Sequence, residues 1–312
     1  MPRWLKILVA CLLLAALATG IDWHALPQHL ARIDWRMGAL ALLAIVAELL
    51  VNASKWSWSL RLHDLRFPWI YLLRTGCYAY FFNNFLPSAI GGDVYRIYRT
   101  LPADGERSRA VSAVFVERVV GLAVMLFNGL VGALLLFEAY ELARVYLVLA
   151  GLGTVTVLAA GVMLRLGWFN RLGSGLSRFK WLDPVRSNLQ RIARARAEWV
   201  PLVVTSFLFQ LLAVAVVWLA FAGIGAPVSV AAALLITAAA GIASVLPISI
   251  SGIGVVEGSI AGTAVALGVE YDSALLAAIV VRLLVLPVSA ACGLLYLTER
   301  SGDRATPLAL NR

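Results

Sequence analysis

The apolar residues of this chain fall in long unbroken runs, and runs of that kind leave few folds open. Six are long enough for a membrane-spanning helix, which needs roughly 20 residues: about 4–20, 37–58, 109–137, 144–164, 200–223 and 273–297. Two more, about 70–90 and 231–268, are interrupted by Pro and Gly, at NNFLPSAIGG (83–92) and LPISISGIG (246–254). The first is short for a span plus its break. The second is too long for one helix and divides into two short arms. Apolar residues make up 62% of the 312 and charged residues only 14%, too little polar surface for a water-soluble chain of this size. The runs are continuous rather than alternating, which predicts a helical membrane protein and not a barrel.

Charge places the loops. Of 26 Lys and Arg residues, 21 collect in segments that share one side if both broken stretches return to the face they left. The largest group is the eight between Arg165 and Arg196; only Arg32, Arg36 and Arg144 fall on the other side. A full crossing at 70–90 would expel the 165–196 loop and violate the positive-inside rule. The expectation is therefore an all-α polytopic membrane protein with six transmembrane helices and two opposed re-entrant hairpins. Its halves, about 1–137 and 144–297, read span, span, hairpin, span in opposite orientations. Both termini are then cytoplasmic, with 301–312 a polar tail. Paired broken segments in inverted halves point to a binding site near the bilayer midplane. The net charge of +9 reads as basic loops facing an anionic leaflet rather than as a nucleic-acid surface. The start of the chain, with Arg3, Lys6 and Ala16-Leu17-Ala18, also fits a cleavable signal; an uncleaved anchor is the favoured reading because five spans follow. Residues 184–199 form a basic amphipathic pattern, with Val185, Leu189, Ile192 and Trp199 on one face.

Charges inside the apolar runs are the candidate site, because each needs a partner or a wet cavity. Glu48 lies mid-span with Asn52 and Lys55 on its face. Glu117 heads a stripe continued by Gly121, Asn128 and Gly132, with Arg118 beside it. Asp93 and Arg96 follow the first break, Glu257 follows the second, and Arg282 is mid-span ahead of Pro287. The breaks are expected to leave short helices whose amino ends point inward and favour an anion. Gly91, Gly92, Gly252 and Gly254 then allow close backbone approach. Arg96, Arg118 and Arg282 suit a phosphate, with Glu48, Glu117 and Glu257 balancing them or carrying a proton. The other reading is internal pairing, Glu257 with Arg282 and Glu117 with a neighbouring Arg, that only holds helices together. Three cysteines in apolar segments (Cys11, Cys77, Cys292) and three scattered histidines offer no disulfide framework and no metal site, and no cofactor is expected.

Three motifs in order, NNFLPSAIGGDVYRIY (83–98), FVERVVGL (115–122) and LPISISGIGVVEG (246–258), resemble the flippase-like membrane domain named for the transmembrane region of lysylphosphatidylglycerol synthase. The resemblance covers most of residues 1–300. It implies a bacterial inner-membrane protein that moves an anionic phospholipid or a polyprenyl-phosphate-linked head group between leaflets. The site residues it implies are Asn84, Pro87, Gly91, Gly92, Asp93 and Arg96, then Glu117 and Arg118, then Pro247, Gly252, Gly254 and Glu257, with Arg282 in the last span. This chain has Ser249-Ile250-Ser251-Gly252 where many members have Pro-Gly-Gly, and Val256 where many have Arg. With only a short polar tail after the last span, it is not expected to aminoacylate lipid itself. The alternatives are a membrane-embedded lipid-modifying enzyme, for which no metal-binding acidic pair, His-based phosphatase set or GxSxG is present, and a non-transporting scaffold for an envelope enzyme. A second copy of the chain or an envelope enzyme is the partner class each allows besides lipid.

Overall fold

The computed structural model describes residues 34–85, 91–102, 107–165, 197–245 and 250–298. Among them the secondary structure is helical: α1 (Trp35–Arg61), α2 (Trp69–Phe85), α3 (Gly91–Arg99), α4 (Arg107–Leu135), α5 (Glu141–Arg165), α6 (Trp199–Gly223), α7 (Val230–Val245), α8 (Val255–Ala266) and α9 (Tyr271–Thr298). Five of the six expected spans are thus helices at their expected places. Four of these, α1, α4, α6 and α9, are long and apolar enough to cross a bilayer by length and composition. The expected first span at 4–20, the basic segment 166–196 and the polar tail lie outside the described residues, as do Pro87 and Pro247 at the breaks.

Both interrupted stretches become pairs of short helices, α2 with α3 and α7 with α8, as the clustered Pro and Gly there disfavour a continuous helix. At the second break the chain reverses through a 3-10 turn, Ile250–Gly252. Gly252 and Gly254 there have φ of 71° and 82°, which glycine adopts without a Cβ penalty, and Ser251 takes a φ of 50° beside them.

Helices α1 and α6 lie antiparallel against each other. At one end the Asp34 N–H donates to the Gly223 carbonyl (2.7 Å). At the other, Leu62 packs with Leu202, Val116 and Val120. These two ends locate the broken segments. The chain leaves α1 at His63-Asp64 and enters α4 beside the same residues: Arg109 donates from Nε to the His63 carbonyl and from Nη2 to that of Asp64, both at 2.9 Å. The α2–α3 segment therefore leaves and returns at one end of the bundle. Phe221 and Ile224 at the end of α6 share a core with Leu267 before α9 and with Ala274 and Leu275 in its first turns. The α7–α8 segment leaves and returns at the opposite end. The 3-10 turn of the second segment contacts α2 of the first.

The core is built for close helix approach. A Cβ on Gly129 would strike Tyr146 of α5 and Ala238 of α7, and one on Gly132 would meet Ala231 and Leu234 of α7, so small residues set the α4–α7 spacing. The outer faces carry Leu43, Leu50, Val204, Leu211, Leu283 and Leu294, all exposed, as a lipid-facing surface requires.

His63 clamps the end where the first segment is anchored. Its Nδ1 donates to the Ser59 carbonyl (2.8 Å), so its Nε2 accepts from the Ser112 hydroxyl (2.9 Å). Burial holds the imidazole below its ordinary pKa. The folded state then binds a proton less readily than the unfolded chain, so the contribution of His63 is complete above about pH 6.5 and is lost as pH falls through the lowered folded value. Thermal unfolding in detergent between pH 7.5 and 5 should show a falling midpoint that flattens in His63→Gln. An unchanged slope in that variant would remove His63 as a contributor.

Candidate functional site

The first break is followed by α3, nine residues long, and one N–H of its first turn is already bonded. The Gly92 N–H donates to Asn83 Oδ1 at 2.9 Å. Gly92 also sits where a Cβ would strike the Ala79 carbonyl and Asn83, so α3 folds back tightly on α2. Asn84, the expected site residue, instead donates from Nδ2 to the Tyr80 carbonyl one turn back (2.9 Å). Its neighbour Asn83 provides the cap. The second break shows the same device. Glu257 Oε2 accepts the N–H of Gly254, the residue that precedes α8, at 2.7 Å. At each helix start the chain supplies a side-chain acceptor for one backbone N–H, since an unsatisfied N–H within hydrocarbon is costly.

What α3 does bring in is charge. Asp93 and Arg96 project toward α4 and α1 and meet Glu117, Arg118 and Lys55. Glu117, 2% exposed, is the node: Lys55 Nζ lies 3.1 Å from its Oε1, and Arg96 Nη2 donates to its Oε2. Asp93 accepts both arms of Arg118, Nε at 3.0 Å and Nη2 at 2.8 Å, and lies 3.7 Å from Arg96. The two basic groups at the node are seated on rings: Arg96 lies 4.2 Å over Trp56 and Lys55 4.6 Å over Phe209 of α6. Such stacking adds about 2 kcal/mol or more when desolvated. Arg118 differs from the others, with 57% of its side chain exposed.

The second ionic pair joins Arg282 of α9 to Glu257 Oε1. One carboxylate thus caps α8 and anchors a mid-span arginine. Pro287 sits inside α9 without ending it. Glu48 lies seven residues, about two turns, before Lys55 on the same face of α1. Phe82 and Tyr78 of α2, Tyr95 of α3 and Tyr296 of α9 interlock edge-to-face at 5.0–6.2 Å, fixing the first broken segment against the last helix. Among the described residues no group of three His, Cys, Asp or Glu side chains is placed to hold a metal.

Of the residues singled out by sequence, Asp93, Arg96, Glu117 and Arg118 come together, and Glu257 pairs with Arg282. Gly91, Gly92, Gly252 and Gly254 sit at the helix starts and in the turn. The loops read as basic by sequence lose three members: Lys55, Arg96 and Arg99 are buried. Lys55, read by sequence on the face of Glu48, joins the node through Glu117. Its position seven residues after Glu48, on one helix face and among tryptophans, is the signal that marks it.

These features define a class: a multi-pass helical membrane protein with two broken segments entering from opposite ends and ion pairs buried behind each break. The sequence matches the family model for the lysylphosphatidylglycerol synthase TM region over residues 3–293. The chain belongs to that family, a membrane-lipid-related one. No curated protein matches the sequence.

Removing one member of a buried ion pair strands its partner, a loss of about 3–5 kcal/mol. Glu117→Gln should therefore lower the unfolding midpoint in detergent sharply. Lys55→Met combined with Glu117→Gln should lose less than the two single losses together. Additivity in that double-mutant cycle would show that the pair is not coupled.

Proposed function

We propose that this chain moves an anionic lipid head group between the two leaflets of a bacterial inner membrane, with both termini in the cytoplasm and residues 1–300 acting as one transport unit. The observation that carries this reading is the half-exposed Arg118 guanidinium on an otherwise buried ion network, at the break of a segment that returns to its own end of the bundle. A guanidinium at that depth needs an anion or water, and its bidentate fork suits a phosphate as well as it suits Asp93. Opposed entry of the two broken segments supplies the second requirement, a place that each face of the membrane reaches in turn. Family membership in a membrane-lipid-related group agrees with it. On this reading Arg96, Arg118 and Arg282 receive the phosphate. Asp93, Glu117 and Glu257 hold those arginines when it is absent, Glu48 balances Lys55, and the chain does no covalent chemistry on the lipid.

The test is leaflet exchange in proteoliposomes with labelled phosphatidylglycerol, phosphatidylethanolamine, phosphatidic acid and polyprenyl-phosphate glycolipid. Protein-dependent exchange of an anionic member is expected, lost in Arg118→Ala that still elutes as a folded protein. No exchange of any lipid, or undiminished exchange by Arg118→Ala, would reject the proposal. Gly92→Val, whose side chain collides with α2, should lose exchange as well. Full activity in that variant would show that the α2–α3 turn is not part of the route.

A further inference from the structure

The two halves carry one ion pair at matching places. Helices α1, α3 and α4 begin at Trp35, Gly91 and Arg107; α6, α8 and α9 begin at Trp199, Val255 and Tyr271, each 164 residues further on. The same shift takes Asp93 to Glu257 and Arg118 to Arg282. Each acid is the third residue of the short helix after a break, and each arginine is the twelfth of the long helix that follows. Each acid binds its arginine. The other ions of the first network are not repeated: Lys55, Arg96 and Glu117 correspond to Leu219, Ile260 and Val281. Docking does not account for the second pair. Ile260, Ala261 and Ala264 of α8 already share an apolar core with Ala274, Leu275 and Ala278 of α9, and a buried ion pair is often no better than apolar side chains in its place.

What differs between the halves is access. On α4 the stripe Val111, Phe115, Arg118 and Leu122 is exposed; on α9 its counterpart, Leu275, Ile279, Arg282 and Leu286, is buried or half-buried. The two arginine side chains are 57% and 22% exposed. The same position of the repeat is open in one half and closed in the other.

We infer that the two pairs are one gate used twice, once for each face of the membrane, and that they open in turn. The present state is open at Arg118 and closed at Arg282, and its inverse exposes Arg282 to the opposite face. The part these gates play in transport rests on the translocation reading above. Inverted halves can exchange conformations around a central site. Both guanidinium groups hydrated at once would join the two faces by one polar path, so opening of one requires closure of the other. A guanidinium without its acid needs water or an anion, so removing either acid favours the state in which its own arginine is open.

The experiment measures labelling by a membrane-impermeant maleimide in proteoliposomes, on a cysteine-free background. Phe115→Cys and Ile279→Cys, equivalent positions one turn before each arginine, are the reporters. Phe115→Cys should react from one face only, and Ile279→Cys from the other face only and more slowly. Glu257→Gln, which keeps an oxygen for the Gly254 N–H, should raise the Ile279→Cys rate by roughly tenfold and lower that of Phe115→Cys. Asp93→Asn should lower the Ile279→Cys rate. A pair that only ties two helices would speed its own reporter and leave the distant one unchanged. That result, or both reporters reacting from the same face, overturns the inference; the second criterion needs no charge substitution and holds even where such a variant does not fold. Exchange of labelled phosphatidylglycerol is read in the same vesicles. Exchange with uncoupled reporters overturns the paired gates and leaves translocation standing. Coupled reporters with no exchange of any lipid named above support the gates and reject translocation.

Discussion

A carboxylate in hydrocarbon has to be matched, and the Glu117 node is where this protein does most of that matching. One side chain at 2% exposure binds Lys55 of α1 and Arg96 of α3 from its place on α4, so three helices are tied by two oxygens. The pairing is favourable only because the geometry is close and the cations are seated on Trp56 and Phe209; an ion pair without such support repays its desolvation poorly. Where α3 lies, and with it the first broken segment, follows from this node.

The second constraint is that the two broken segments are each anchored at both ends. Arg109 bonds the His63 and Asp64 carbonyls on one side. The shared core of Phe221, Ile224, Leu267 and Ala274 does the equivalent on the other. Backbone that is not helical is tolerated at membrane depth only when protein or a wet cavity surrounds it. At the start of the helix after each break a side chain accepts one backbone N–H, Asn83 for α3 and Glu257 for α8. The halves share a solution without sharing a sequence: an amide from the arm before the break in one, a carboxylate three residues into the helix in the other.

Much of this was readable from residue order. Run length predicted α1, α4, α5, α6 and α9, and the Pro and Gly interruptions predicted both divided segments, because hydrophobic thickness and backbone sterics act locally. The pairing of Glu257 with Arg282 was one of two open readings, and it forms. What sequence did not reveal was the partner of Lys55: its place on the face of Glu48 was legible, but Glu117, 62 residues away on α4, was not. The choice of Asn83 over Asn84 as the cap was equally hidden. Two adjacent asparagines differ by 100° around a helix, and only the fold decides which one faces α3. That the chain itself supplies an acceptor for one N–H at each helix start was not legible in the sequence, because the acceptor's orientation is set by the fold.

The central claim is that residues 65–106 and 225–270 each start and finish on one face of the membrane, and that the two faces differ. Membrane-impermeant thiol labelling of a cysteine-free background tests it directly, with Arg66→Cys and Arg107→Cys reporting on one segment and Ser229→Cys and Glu270→Cys on the other. All four positions are exposed. The account predicts that the first two label from one side only and the last two from the other side only. Labelling of Arg66→Cys and Arg107→Cys from opposite sides would contradict it.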